Sequence, residues 1–180
     1  MRLLFSSPFR RQAHRLYMAV VAQARQPFLY KMFAIPDTLD GHFDAIVLHV
    51  ALVTQRLKRE PSAHTLTLAR YLQEAFINDM DRSLRELGVS DTGVGKRIKQ
   101  MGGALAGRLR AYESAADDQE ALAEALMRNV YRGEANSQAQ PLAAYVRECI
   151  EALKRHSIAQ ISHGELRFAQ MDTGAAAAFS

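Results

Sequence analysis

From Thr38 to Lys58 the sequence runs TLDGHFDAIVLHVALVTQRLK, and few folds accommodate such a stretch. Phe43, Ile46, Val47, Val50 and Leu57 recur at the spacing of one helical face. Leu48 and Leu52 project from nearly the opposite side. A helix that is apolar on both sides has to be surrounded by other elements, so this one predicts the centre of a helical bundle. Thr38 supplies a capping hydroxyl for the orphan N–H groups at its start, and Asp40 puts negative charge at the positive end of the helix. His49 falls in the middle of the apolar run.

A chain of 180 residues that is 48% hydrophobic and 23% charged has enough apolar material for one domain with its own core. The formal charge of +4 is compatible with an acidic partner, a ribosome or an anionic membrane surface. Cys149 is the only cysteine, which rules out an intramolecular disulfide and a cysteine-based metal cluster. Arg10-Arg11 before the apolar run Leu16 to Ala22, with Ala22-Gln23-Ala24 behind it, has the outline of a signal peptide. The run is short and Arg15 abuts it, while Ser7-Pro8 reads as the cap and first residue of a folded helix, which is the expectation here. Ala45 to Val53, broken by His49, is far too short to span a membrane.

The remaining chain predicts helices on both sides of the central one. The first, from about Pro8 to Gln26, carries the stripe Ala13, Leu16, Tyr17, Val20 and Ala24. A link containing Phe28, Tyr30 and Phe33 follows, bounded by Pro27 and Pro36, which bar a continuous helix. After Pro61-Ser62 a long helix carries Leu66, Ala69, Leu72, Phe76, Met80, Leu84 and Leu87, and Gly88 ends it. Ser90 caps a further helix with Val94, Ile98, Met101, Leu105, Leu109 and Tyr112, continuous through Gly102-Gly103 because the apolar phase does not break there. Asp117 or Asp118 opens the next, with Leu122, Ala125, Leu126 and Val130. Pro141 opens the last, with Leu142, Tyr145, Val146, Cys149, Ile150 and Leu153. SHGELRF alternates too weakly to assign. The expectation is an all-α, single-domain bundle of six to seven helices around the central helix at about 38–58. It comprises an N-terminal tail over 1–7, a helical domain over 8–168 and a flexible tail over 169–180. The predicted core includes Phe43, Val47, Val50, Leu72, Phe76, Ile98, Leu105, Leu126 and Ile150.

No reaction chemistry emerges from this pattern. GVSDTGVGKR has Ser90 where a phosphate loop needs its first glycine and Arg97 where it needs a hydroxyl residue, and no strand precedes it. Glu-x-x-His pairs for a di-iron bundle are absent, as is H-E-x-x-H, so neither metal nor cofactor is expected. An enzyme centred on His49 remains a rival reading, and would need a concave pocket with a second ionisable group beside it. Candidate partner-binding residues fall in three places. Phe28, Tyr30 and Phe33 either plug one end of the bundle or make an apolar partner-facing patch. Asp79 and Asp81, with Glu74 and Glu86, form either a solvated face or an acidic binding surface. Lys96, Lys99 and Arg110 lie opposite the apolar stripe of their helix, and no acid occurs between Asp91 and Glu113. That ridge is either a solvated basic face or a dock for an acidic partner, the alternative function being a basic helical module for nucleic acid or the ribosome.

A family resemblance adds to this. Ala24-Arg25-Gln26-Pro27, Tyr30, Ile35-Pro36-Asp37-Thr38, Asp40-Gly41-His42-Phe43-Asp44, Leu48-His49 and Arg56-Leu57 follow one another at characteristic spacing. Phe76, Asp79-Met80-Asp81, Leu84-Arg85-Glu86-Leu87-Gly88-Val89, Val94-Gly95-Lys96 and Lys99-Gln100-Met101 continue the series. Gly107-Arg108, Ala111-Tyr112, Ala125-Leu126, Arg128-Asn129-Val130-Tyr131 and Gly164 close it. In order and spacing, from Leu16 to Phe168, the chain resembles the ubiquinol–cytochrome c chaperones, assembly factors of the cytochrome bc1 complex. His42 departs from that pattern, where arginine is expected. The resemblance implies a non-enzymatic, all-helical chaperone without a cofactor, in its bacterial form. Its implied partner is newly made cytochrome b, with a ribosome or a second assembly factor as further partners and no specific DNA binding. Its implied place is the cytoplasm, or the cytoplasmic face of the inner membrane as a peripheral protein.

Overall fold

A computed structural model describes residues 8–171. The tail expected over 1–7, with the cap expected at Ser7, lies outside the described residues, as do residues 172–180. The described residues form eight helices: α1 (Pro8–Ala24), α2 (Pro27–Lys31), α3 (Leu39–Arg59), α4 (Ala63–Glu86), α5 (Asp91–Ala115), α6 (Gln119–Asn129), α7 (Ala139–Lys154) and α8 (Ile158–His163). No strand occurs among the described residues.

The central helix is α3. Every residue from Asp44 to Thr54 is buried, because α1, α4, α5 and α7 all pack on it. α6 closes the side between α5 and α7, and α8 lies on α1. The apolar stripes expected for α1, α6 and α7 are buried in full. α5 runs unbroken through Gly102 and Gly103, but nothing between Val94 and Leu105 is buried on it. This half of α5 stands off the core, so Ile98 is only half-buried. Phe43 is half-buried too, because it lines a surface groove. The other predicted core residues are buried.

Side chains satisfy most helix starts. Thr38 accepts from the Gly41 N–H at 3.2 Å. Ser62 and Thr65 form a reciprocal capping box on α4, as do Ser157 and Gln160 on α8. Asp118 accepts from Glu120 and Ala121, which decides between the two aspartates expected there. At the far end, buried Arg56 of α3 donates to the Leu153 and His156 carbonyls, at 3.1 and 2.8 Å, and so terminates α7. Two short helices escape the sequence pattern. α2 forms inside the aromatic link, with Pro27 at its first position, where the missing N–H costs nothing. α8 lies mostly before the unassigned stretch SHGELRF, overlapping it only at Ser162 and His163, and ends on Gly164 in the left-handed conformation.

Packing continues past residue 168. The Gln23 side chain donates to the Ala169 carbonyl at 3.2 Å and accepts from Gln170 at 3.0 Å. Ala169 and Met171 rest against the core, and the rest of the tail expected over 169–180 lies outside the described residues.

Candidate functional site

The aromatic link divides into an inner and an outer part. Phe28 and Phe33 are buried and meet Tyr145 of α7, with ring centroids 5.5 and 5.4 Å away. They plug the bundle, and the expectation of an exposed patch is corrected for these two rings: burying them on Tyr145 removes apolar area from water that an open patch would leave wet. Tyr30 stays half-buried. Its hydroxyl donates to the Ala24 carbonyl at 2.7 Å, and its ring lies 4.9 Å from that of His42. Burial, then the nearby Asp37 carboxylate, raises the Tyr30 pKa, so the phenol keeps its proton.

Tyr30 stands on the rim of a groove of about 210 Å³. Leu39, Phe43 and Ile46 of α3 form one wall, Met80, Leu84 and Leu87 at the end of α4 the other, and Met101 of α5 closes it. Arg25, Asp40, Asp79 and Arg97 supply two charges of each sign around it. The groove shares Arg25 and Asp79 with a second depression between α1 and α4, which contains Met18. Four large apolar side chains are strongly exposed among the described residues: Met18 (51%), Leu39 (64%), Leu66 (50%) and Leu87 (65%). Three of them line these two adjoining depressions, and Leu66 lines neither.

The start of α3 is held rigidly behind this groove. A Cβ on Gly41 would fall 1.8 Å from the Pro36 carbonyl oxygen, so only glycine lets the link pass this close. Asp44, buried one turn further on, pairs with Arg108 at 2.7 Å and Arg132 at 3.0 Å. Arg132 also reaches Asp40 on the groove rim at 3.6 Å. Burial raises the Asp44 carboxyl to about 6, the two arginines opposing that rise. Arg108 also lies over the Phe43 ring at 5.3 Å. His42, the departure from the family pattern, lines the groove and pairs with Asp37 at 2.7 Å.

Of the candidate residues, the structure brings Tyr30 and Asp79 together in one groove. Asp79 accepts from the Tyr17 hydroxyl at 2.7 Å and pairs with Arg82. Asp81 is held by Arg85 at 2.7 Å, Glu74 by Arg70 at 2.6 Å, and Glu86 faces Arg82 at 3.9 Å. The acidic run of α4 is therefore a ladder of pairs within the helix. Lys96, Lys99 and Arg110 are exposed on α5 and do not line the groove, whereas their neighbour Arg97 does. The pattern missed Leu39, Arg25, Asp40 and Arg97 as site residues. The available signal was a leucine directly after the Thr38 cap, off the helix stripe and without a core role.

His49 sits far from water. Its Nδ1–H donates to the Ala45 carbonyl at 2.7 Å, and Nε2 accepts from the Tyr145 hydroxyl at 2.8 Å. Gln23 donates to the same hydroxyl oxygen at 2.8 Å. Burial lowers the His49 pKa to about 4 and raises Cys149 beside Tyr145 to about 11. The imidazole is neutral and fully buried, and it lines neither of the two depressions.

The groove and its bracing fall within residues 24–132, and the ubiquinol-cytochrome C chaperone family matches residues 31–168. The chain belongs to that family. A solved relative, the Cbp3 homolog from Brucella abortus, is 35% identical, with 91% of each chain covered and a TM-score of 0.80. None of the curated proteins matches. Membership makes this chain one of the chaperones that serve ubiquinol–cytochrome c reductase, the bc1 complex. No helix among the described residues is long and apolar enough to cross a membrane.

Proposed function

We propose that this protein is a non-enzymatic assembly chaperone that holds newly made cytochrome b by an apolar segment laid in the groove of Leu39 and Leu87. The supporting observation is the convergence of Met18, Leu39 and Leu87 on two joined depressions with charges of both signs around them. A client that is an unassembled membrane segment offers apolar area with flanking charge, and this surface complements both. At about 210 Å³ the groove admits a side chain or two rather than a whole helix, so it acts as an anchor and leaves the client releasable. The protein works as a peripheral component at the cytoplasmic face of the inner membrane, where cytochrome b is inserted.

The test is affinity capture of the tagged full chain from membranes in mild detergent. Leu39 and Leu87 are exposed, so Leu39→Asp with Leu87→Asp leaves the melt unchanged and lowers the cytochrome b recovered. Leu66→Asp, equally exposed but outside both depressions, keeps wild-type recovery. Equal recovery from all three proteins would remove the client from this groove and leave the Lys96, Lys99 and Arg110 ridge as the next surface.

A further inference from the structure

Charges of both signs line the two joined depressions, but they are not equally available to a partner. The three acids there are already paired: Glu74 with Arg70 at 2.6 Å, Asp79 with Arg82 and the Tyr17 hydroxyl, and Asp40 with Arg132 at 3.6 Å. Of the four arginines in the lining, Arg82 is taken up by Asp79. Arg10, Arg25 and Arg97 are exposed and have no carboxylate partner among the described residues. What stays open to a partner is positive charge.

These cations are spread along an apolar floor. Arg10 lines only the depression between α1 and α4, with its guanidinium 5.5 Å from the Tyr71 ring. Arg25 lines both depressions, and Arg97 only the groove. Arg10 and Arg25 are fifteen residues apart on one helical path, since the Arg25 N–H still donates to the Val21 carbonyl at 3.1 Å. At the helical rise per residue their backbones are about 22 Å apart, too far for a single phosphate or carboxylate to meet both. Between them lies exposed Met18, with Val21 and Ala75 beside it. A ligand that satisfies this surface has to be long, apolar in the middle and negative towards its ends.

We infer that the trough formed by the two depressions selects a polypeptide segment whose apolar stretch is flanked by Asp or Glu rather than by Lys or Arg. The apolar stretch covers Met18, Leu39 and Leu87. Carboxylates flanking it meet Arg10 in one depression and Arg25 and Arg97 in the other. A basic flank would face three unpaired guanidinium groups and find no free acid to receive it, and like charges set against each other suppress a wrong partner. This selectivity rests on the client groove proposed above and adds the sign of the charge that the client has to carry.

The experiment is fluorescence anisotropy of the full-length protein with two labelled peptides. Both share one leucine–alanine core, flanked by glutamates in one peptide and by lysines in the other. An exposed ion pair contributes a factor of up to about five, so three cations should make the glutamate-flanked peptide bind roughly tenfold more tightly at low salt. High salt should erase the difference. Arg10→Glu with Arg25→Glu should invert the order of the two peptides. Lys96→Glu with Lys99→Glu makes the same change of charge on α5 outside the trough, and should keep the wild-type order. All four side chains are exposed, so both variants should melt like wild type. Four results would overturn the inference: no binding of either peptide, equal or tighter binding of the lysine-flanked one, the wild-type order kept after the Arg10 and Arg25 changes, or inversion in both variants. No cytochrome b is present, so failure here leaves the client of the groove standing. Failed capture of cytochrome b with the peptide preference intact would change the identity of the client and not its charge.

Discussion

Gly41→Ala tests the bracing of the groove in a single methyl group. The new Cβ would lie 1.8 Å from the Pro36 oxygen and 2.8 Å from its carbonyl carbon, whereas ordinary contact begins at 3.4 Å. The obstacle is backbone, so the link from Ile35 to Asp37 has to withdraw. That movement pulls on Thr38, whose hydroxyl caps this turn through the Gly41 N–H. Overpacking of this kind costs about 1–3 kcal/mol and a lost cap about 1 kcal/mol more. Alanine's better helix propensity returns roughly 1 kcal/mol. The net is a loss of about 1–3 kcal/mol, or roughly 2–12 °C in the melting temperature of a domain this size. Gly103→Ala is the control: it lies within α5 with nothing inside 4 Å of an added Cβ, so only the propensity gain remains and the melt should rise. Paired thermal melts decide the matter. A Gly41→Ala protein as stable as wild type would refute the close passage of Pro36 and the rigid groove wall built on it.

Two further outcomes concern the buried polar groups. Asp44, raised to about 6, holds a proton in the folded state that the unfolded chain has released, so its contribution to stability falls as pH rises from about 4 to 6. His49, lowered to about 4, stays neutral in the fold while the unfolded chain protonates below about 6.5, so its contribution falls as pH drops through the same range. The two slopes oppose each other, and Asp44→Asn should expose the His49 limb as a loss of about 3 kcal/mol between pH 6.5 and 4, read from urea midpoints. A flat profile in that variant would contradict the assignment. Tyr145→Phe removes the hydroxyl shared by His49 and Gln23, and leaving buried groups unpaired should cost about 1–3 kcal/mol in a chemical melt. No loss would mean that the network relaxes around the missing oxygen.

The parts of this fold legible in sequence are those whose burial follows from periodicity. Asp44 to Thr54 is apolar on both sides, and the structure surrounds it; the stripes of α1, α6 and α7 are buried without exception. What stayed ambiguous depends on contacts distant in the chain. Phe28 and Phe33 are open to both readings, plug and patch, until Tyr145 arrives from α7 to cover them. Asp44 looks like a flaw in an apolar helix, since its partners Arg108 and Arg132 follow no local spacing. Leu87 fits the α4 stripe by phase, yet it caps the helix end and remains exposed. The groove consists of such residues. Helix termini from α3 and α4 meet there, and hydrophobic phase says nothing about which termini meet.

A photo-crosslinking amino acid at position 87 tests the central claim most directly. Leu87 is exposed and lines the groove, so the replacement leaves the fold intact and puts the reactive group where the client is proposed to lie. Irradiation in cells that are making cytochrome b should give a covalent adduct containing cytochrome b, and the same group at Leu66 should give none. Crosslinking to cytochrome b from position 66 but not from position 87 would contradict the account.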